Sequence, residues 1–284
     1  HNFGKDAYGY VNASLSDYES VITEWTGNDN KMLYTNYAGK VVGEIWGFKN
    51  AGFFKDANDV ATSPSQTTLQ NGSFVYGPGD VKYADLDNNQ IINGGNQTLS
   101  NPGDLTVIGN TTPRYQYSFR LGGGWKGFDI DMYFQGVGKR DMWGTGSMVI
   151  PLYNAANNTM YEHQMDFWSP TNPDAFYPLP SVGSEGASTI ANMAGISNSA
   201  NGTGRNFYPQ DKYLINLAYL RMKNLTIGYT IPARLTKKIS IDKVRVYFSG
   251  QNLFEIKATH LPIDPEVTSG SPSFSAYYGR TMPF

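Results

Sequence analysis

Residues 117–137 carry the feature that most limits how this chain can fold, an alternation of apolar and polar side chains with a period of two. Tyr117, Phe119 and Leu121 alternate with polar residues and glycine, and the alternation resumes after the glycine-rich stretch 122–127. The later apolar positions are Phe128, Ile130, Met132 and Phe134. Successive side chains of a strand point to opposite faces, so the pattern predicts a hairpin with one apolar and one polar face.

The same alternation occurs in residues 9–22, 219–232 and 241–254, and each predicted strand is longer than the usual five or six residues. Long connections without sustained periodicity, about 26–112 and 139–210, separate these strands. Loops of such length are uncommon in compact domains and are usually functional. The sequence therefore predicts long strands joined by long loops at one end.

Composition separates two structures that share this pattern, a half-buried sheet in a soluble protein and the wall of a membrane barrel. Charged residues make up only 16% of the chain, against roughly a quarter in an ordinary soluble domain. Short turns at one end and long loops at the other are typical of outer-membrane barrels. We therefore predict an all-β fold, a transmembrane antiparallel β-barrel. The lysines predicted at its short-turn rim are Lys126, Lys237, Lys238 and Lys243.

Charge and cysteine content exclude several other classes of protein. The net charge is −2 and no block of Lys or Arg forms a nucleic-acid footprint, so no nucleic-acid partner is expected. The chain has 0 cysteines, which excludes a disulfide framework and thiolate metal sites. The sequence contains no run of about 18 apolar residues, so no membrane-spanning helix is predicted. The first ten residues lack the basic and apolar pattern of a secretion signal.

Motifs that would indicate catalysis are weak. The stretch GGGWKG at 122–127 matches the dinucleotide pattern G-x-G-x-x-G, but a strand follows it where a helix is required, so the glycines predict a tight turn. Asp129 and Asp131 lie about 7 Å apart along a strand, within the range of a glycosidase pair. Barrel interiors are polar by default. We therefore predict that the chain is not an enzyme.

One loop has the spacing of a calcium ligand set, with oxygen donors at alternate residues. The candidate ligands are Asp85, Asp87, Asn89 and the carbonyl of Ile91. Gln90 replaces the usual turn glycine, and Asn96 stands where a bidentate Glu is expected. A structural Ca²⁺ or Mg²⁺ ion and a hydrogen-bonded acidic turn both fit this loop, and no cofactor is required.

Two further sets of residues are candidates for contact with cargo. Aromatic side chains in the loops can stack on sugar rings, anchor the wall at the lipid headgroups, or pack against a lid or other loops. These are Trp143, Trp168, Phe176 and Tyr177. For the block 166–180, packing against a lid or other loops is favoured over direct contact with cargo. The polar face of the strands is predicted to line a passage or to meet a plug. Its residues are Arg120, Asp129, Asp131, Gln135, Asn224, Thr226, Arg245 and Tyr247.

Six blocks, in their order and approximate spacing, carry a resemblance that covers nearly the whole chain. They are GDVKYADLDNNQII (79–92), LTVIGNTTPRYQYSF (105–119), WKGFDIDMYFQGV (125–137), DFWSPTNPDAFYPLP (166–180), YLRMKNLTIGYTIP (219–232) and VRVYFSGQNLF (244–254), followed by DPEV at 264–267. This succession is similar to the carboxy-terminal third of SusC/RagA-family TonB-dependent transporters, which belong to Bacteroidetes outer membranes.

The resemblance implies that residues 1–284 are the carboxy-terminal part of a 22-stranded barrel, with the plug and TonB box absent from this chain. It further implies coupling to a TonB–ExbB–ExbD complex, a surface lipoprotein of the SusD type and import of glycans or peptides across the outer membrane. The alternative function is a secreted or surface β-sandwich module that binds carbohydrate without transport.

Overall fold

The fold is built mainly from strands, as a computed structural model shows for residues 7–70, 75–144, 149–151, 160–180 and 206–266. The strands are β1 (Ala7–Ser16), β2 (Glu44–Gly47), β3 (Asn50–Phe53), β4 (Val81–Tyr83), β5 (Thr106–Asn110), β6 (Arg114–Trp125), β7 (Phe128–Lys139), β8 (Asp141–Met142), β9 (Ile215–Asn216), β10 (Tyr219–Thr230) and β11 (Arg245–Lys257). Two short α-helices are described, α1 (Ala57–Thr62) and α2 (Ala233–Thr236). Neither of these helices has the length and apolar composition needed to cross a membrane.

The five long strands form one antiparallel sheet in the order β1-β6-β7-β10-β11. Its register places apolar residues opposite apolar ones, for example Leu121 between Val11 and Met132. The preceding residue of β6, Arg120, lies in a polar row, where it pairs with Asn12 and Tyr133. Because the side-chain period is two, this register gives the whole sheet one apolar and one polar face. The predicted alternation is confirmed on the five strands, with two differences: a bulge between Met222 and Asn224 shifts the register of β10, and β1 ends at Ser16 although the sequence predicts a strand to residue 22.

The apolar face is exposed. Phe128 and Phe248 are 59% and 61% exposed, and Ile130, Ile227 and Val246 are exposed as well. Phe134 alone among the predicted outward residues of β7 is buried, because its ring stacks on Phe119 with the centroids 4.5 Å apart. β1 and β11 form the two edges of the sheet over the described residues, so the barrel is not closed there.

The turn between β6 and β7 is shorter than the sequence predicts. Lys126 and Gly127 form a two-residue turn with φ values of 48° and 94°, the positive values that a type I′ turn requires. Residues 122–124, predicted as part of the turn, belong to β6. The rings of Tyr10 and Tyr8 cross Gly122 and Gly124 on the polar face, where a Cβ would collide with them, and a Cβ on Gly123 would meet the Tyr8 backbone carbonyl. The glycines are therefore needed for this close approach.

The hydrophobic core lies outside the sheet, at the end where the long connections meet. The connections β1–β6 and β7–β10 both start and finish at this end, whereas the other end has only the β6–β7 turn and the β10–β11 connection. Their buried side chains form one cluster that includes Leu33, Phe48, Phe54, Val81, Tyr83, Ile92, Trp168, Tyr177, Tyr213 and Leu217. The long connections are thus packed into a loop core.

Buried amide side chains tie the two connections together within this loop core. The Gln66 side chain donates to the Val81 carbonyl at 3.0 Å and accepts from the Tyr83 N–H at 2.6 Å. From the other connection, Asn206 accepts from the Val81 N–H at 2.8 Å and donates to Asp80 at 2.7 Å. Burial raises the pKa of Asp80 to about 6, against the opposing effect of these hydrogen bonds. We call these five residues the polar brace.

Replacing Asn206 by Ala is expected to destabilise the loop core by about 3 kcal/mol, because it leaves the Val81 N–H and the Asp80 carboxylate without their amide partner. The folded pKa of Asp80 is raised from 3.8, so its contribution to stability falls as pH rises from about 4 through 6. Loss of Asn206 raises that pKa further, and the defect should be larger at pH 8 than at pH 5. Amide hydrogen exchange of Val81 and Tyr83 measures the effect.

The exposed Asn96 provides a matched control, because its side chain lies at the surface, away from the polar brace. Asn96→Ala should leave the exchange rates unchanged. Equal protection of Val81 in the Asn206→Ala and unsubstituted proteins would contradict the bracing role.

Candidate functional site

The polar face of the sheet brings together all eight residues that the sequence predicts to line a passage. Alternation along β6, β7, β10 and β11 places them on one side, and the register aligns them across the strands. They are Arg120, Asp129, Asp131, Gln135, Asn224, Thr226, Arg245 and Tyr247. Their shared face is a structural finding, and their contact with a passage or plug stays a prediction.

Both carboxylates of β7 are paired with arginines, one on the adjacent strand β6 and one on β11, which lies beyond β10. Arg120 contacts Asp131 at 2.8 Å, and the Tyr10 hydroxyl donates to the same carboxylate. Arg245 donates to Asp129 through Nε at 3.0 Å. Each acid therefore has its own cation, an arrangement that stabilises two carboxylates on one face. It does not resemble a glycosidase pair, in which one carboxyl group must hold a proton.

A buried arginine anchors a segment of the chain that follows β11. Arg221 is 5% exposed, and its guanidinium contacts Glu255 of β11, Asp264 at 2.8 Å and Glu266 at 3.0 Å. Lys223 also contacts Glu266. Residues 258–266 are thereby fixed at the loop end of β10. The sequence does not predict this cluster, because Asp264 and Glu266 meet Arg221 and Lys223, which lie on a strand about forty residues earlier in the chain.

A cavity of about 400 Å³ opens at the loop end, between residues 160–180, 206–216 and the segment after β11. Most of its wall is aromatic or aliphatic, and a few polar groups reach it. The lining includes Val149, Phe176, Tyr177, Tyr213, Leu214, Ile215 and Leu261, with His163, Asp166, Lys212, Asn216 and His260 as polar members. A mainly apolar cavity with a few polar groups is the common form of a ligand site.

Phe176 presents an exposed ring at this cavity. Its side chain is 41% exposed, while its backbone is held on both sides: its N–H donates to Asp166 at 3.0 Å and its carbonyl accepts from the Tyr213 hydroxyl at 2.9 Å. The ring meets that of Tyr213 edge on, with the centroids 5.4 Å apart. Phe176 is therefore a fixed, accessible aromatic surface.

Lys212 is the cation in the cavity wall. Its ammonium lies 3.9 Å from the centroid of the Phe53 ring and donates to the Ala175 carbonyl at 3.0 Å. Burial lowers the pKa of Lys212, while the carboxylates of Asp166 and Asp174 act in the opposite direction. The cation–π contact fixes the lysine between the two connections.

The other three predicted aromatics pack inside the loop core. Trp168 is 4% exposed and Tyr177 is 2% exposed, and Trp143 packs against the same cluster while partly buried. The Trp168 ring lies against Gly79, where a Cβ would collide with it. Burial of Trp168 and Tyr177 favours loop packing over contact with cargo or a lid, which leaves Phe176 as the accessible ring of the four.

The carboxylate loop brings together Asp85, Asp87 and Asp104, whose ligand atoms lie within 4.8 Å of one another. Asp104 was not predicted, because it follows the loop in sequence and returns to it only in the fold. The Asn89 side chain donates to Asp87 at 2.9 Å, and the Ile91 carbonyl accepts from a neighbouring amide. Backbone N–H groups also donate to all three carboxylates. Ion binding by this loop stays a prediction.

Comparison with known proteins identifies the fold. TonB-dependent receptor P3 of Formosa agariphila is 28% identical over 230 residues, covering 80% of this chain and 19% of that receptor. TonB-dependent receptor P26 of the same organism is 24% identical, covering 87% of the chain and 21% of the receptor. The chain thus spans about a fifth of the length of these curated relatives. No protein-family model matches it.

Among solved structures, that of the RagAB peptide transporter matches with a TM-score of 0.60 and 18% identity over 96% of this chain and 26% of the matched chain. The closed-closed state of the RagAB peptide importer gives a TM-score of 0.59. The chain is therefore similar in sequence to TonB-dependent receptors and in fold to the RagAB transporter. Its five-stranded sheet has the fold of a TonB-dependent transporter barrel. The matched proteins are named as receptors and transporters, which agrees with the prediction that the chain is not an enzyme.

The two roles of the loop aromatics can be separated by substitution. Trp168→Ala should destabilise the loop core by about 4 kcal/mol, since it removes a large buried ring, whereas Phe176→Ala should cost less than about 1 kcal/mol. Protease cleavage within residues 160–180 measures local opening. Trp168→Phe is the control that keeps most of the packing, because the indole N–H has no hydrogen-bond acceptor among the described residues. Similar cleavage of the Trp168→Ala and Phe176→Ala proteins would contradict the assignment.

Proposed function

We propose that the chain forms part of the wall of an outer-membrane importer that works as a SusC-like TonB-dependent transporter. The observation that supports this function is the two-faced sheet, apolar and exposed on one side and lined with paired charges on the other. Such a sheet is stable where acyl chains meet one face and a wet passage or a plug meets the other. The proposed location is the outer membrane of a Gram-negative bacterium of the Bacteroidetes.

Strand length and aromatic placement support the membrane location. β6, β7 and β10 each have 12 residues, enough to cross the hydrocarbon region when tilted. Trp125, Phe128 and Tyr229 stand at the short-turn end, where the rings of Phe128 and Tyr229 lie 4.5 Å apart. Aromatic residues at this height form the belt that anchors a barrel at the membrane surface.

The loop end is the proposed docking face for cargo and for a lipoprotein lid of the SusD type. The polar brace and the loop core hold this end rigid, and Phe176 offers an exposed ring beside the cavity. Energy would come from a TonB–ExbB–ExbD complex. Similarity to proteins named TonB-dependent receptors supports that coupling.

The proposed cargo is an oligosaccharide or a peptide. The curated relatives are named only as receptors, while the matched solved structures are titled as a peptide transporter and a peptide importer. Aromatic rings such as Phe176 can stack on the apolar face of a sugar. The same cavity wall can accept an apolar side chain of a peptide. The two cargo classes therefore require a direct test.

The alternative of a carbohydrate-binding β-sandwich receives no support from the sheet. A sandwich packs two sheets face to face, so its apolar side chains are buried between them. In the described part of the chain, Phe128, Val246 and Phe248 are exposed instead. Lipid contact explains this exposure and a second sheet does not.

Lysine substitutions on the two faces should have opposite outcomes. Phe248 and Tyr247 are adjacent in β11 and 61% and 62% exposed, but they point to opposite faces. Phe248→Lys places a charge among acyl chains and should cost about 2 kcal/mol, while Tyr247→Lys should be tolerated in a wet interior. Heat-modifiable gel migration of the full-length receptor in outer membranes measures assembly. Equal loss of assembly in the Phe248→Lys and Tyr247→Lys receptors would contradict the proposal that the apolar face meets lipid and the polar face meets water.

Uptake by the producing bacterium tests transport and cargo together. A strain lacking the full-length receptor should lose growth on either oligosaccharides or peptides as sole carbon source, and the unsubstituted receptor should restore it. Phe176→Ala should raise the cargo concentration needed for half-maximal uptake about tenfold, as expected for a central aromatic contact. Leu99→Ala, with a similarly exposed loop side chain at 42%, is the matched control. Unimpaired uptake of both cargo classes in the deletion strain would refute the proposal.

A further inference from the structure

The connection between β10 and β11 has a composition unlike the rest of the sheet's short-turn end. Its sequence, residues 231–244, reads IPARLTKKISIDKV and contains four cationic side chains and one acidic side chain. The cations are Arg234, Lys237, Lys238 and Lys243, and all four are exposed. Within the described part of the chain none of the four forms a salt bridge, although Lys243 acts electrostatically on the carboxylate of Asp129. The segment therefore keeps an excess of positive charge, carried by Arg234, Lys237 and Lys238, that is available to an outside partner.

The same connection exposes large aliphatic side chains beside these cations. Leu235, Ile239 and Ile241 are 50%, 68% and 42% exposed. Leu235 lies in α2 and Ile239 in the 3₁₀ turn Lys237–Ile239 that continues it, four residues apart and so close to one face. Exposed aliphatic groups next to unpaired cations are the composition of a segment that lies in a membrane interface.

The connection is continuous with the apolar face of the sheet. The Ile231 N–H donates to the Val244 carbonyl at 2.9 Å, which adds one pair to the β10–β11 ladder. Tyr229 pairs with Val246 on the apolar face, so the two-residue period returns Ile231 and Val244 to that face. The β6–β7 turn lies alongside, since the Gly127 carbonyl accepts from the Thr230 N–H at 2.7 Å. That turn contributes a fifth cation, Lys126.

We propose that residues 231–244, together with Lys126, form a binding surface for anionic phospholipid headgroups at the short-turn end of the sheet. The aliphatic side chains enter the outer part of the acyl region, and the ammonium and guanidinium groups contact lipid phosphates. Two observations select this partner: the uncompensated positive charge and the continuity with the exposed apolar face. The inference rests on the proposed membrane location of that face.

The test uses the full-length receptor in bilayers, with a fluorescent NBD label on a cysteine introduced by Ile239→Cys. These 284 residues contain 0 cysteines, so they add no competing label site. Quenching by doxyl-labelled phosphatidylglycerol is compared with quenching by doxyl-labelled phosphatidylcholine at equal mole fraction. We expect stronger quenching by phosphatidylglycerol. Lys237→Gln with Lys238→Gln should lower this preference about thirtyfold, since each lysine near an anionic surface strengthens binding several-fold.

Two controls keep the outcomes distinct. Lys31→Gln with Lys55→Gln removes two exposed lysines from the loop end and should leave the preference unchanged. A label at Phe248→Cys reports the apolar face itself and should be quenched equally by both lipids. An unquenched label at 239 with a quenched label at 248 would overturn the proposed headgroup-binding surface and point to a protein partner at residues 231–244. The proposed membrane location of the sheet would still stand.

The remaining outcomes are also decisive. Equal quenching at 239 by the two lipids would show aliphatic insertion without headgroup recognition and would overturn the proposal. If the labels at 239 and 248 both stay unquenched, the membrane location fails as well.

Discussion

The cross-strand register of the five-stranded sheet is the constraint on which the rest of the structure depends. A shift of one residue in any strand would move that strand's apolar residues to the polar face. It would also separate Arg120 from Asp131, which joins β6 to β7, and Arg245 from Asp129, which joins β11 to β7 across β10. The short Lys126–Gly127 turn sets this register for one pair of strands, and the rings of Tyr8 and Tyr10 fit over glycines for another.

The register also explains why packing and lipid contact occur in different parts of the molecule. A sheet with one face toward acyl chains needs no second protein layer, and its apolar side chains stay exposed. The long connections cannot use lipid, so they bury their own aromatics in the loop core. Amides of the polar brace then satisfy the backbone groups that this burial removes from water.

The sheet could be predicted from the sequence because its signal is local. Alternation places Phe128 and Asp129 on opposite faces whatever else surrounds them. The loop core could not be predicted, because its members have no periodicity and meet only through tertiary contacts. Trp168 illustrates the difference: its place in a proline-rich loop is compatible with contact with cargo, with a lid or with other loops, and only the fold shows that its ring is buried against Gly79. Asp104 is a second example. It could not be predicted as part of the carboxylate loop, because it lies outside that loop in sequence and approaches Asp85 and Asp87 only in the fold.

The polar brace has a consequence for the order in which the protein folds. The Val81 N–H bonds to Asn206, a partner 125 positions further along the chain. Contacts between such distant residues form late, because closing a long loop costs entropy before any contact stabilises it. Strand pairs such as β6–β7 need only a two-residue turn and can form early. The loop end should therefore mature last during biogenesis, and until then its aromatic side chains are available to chaperones and to proteases.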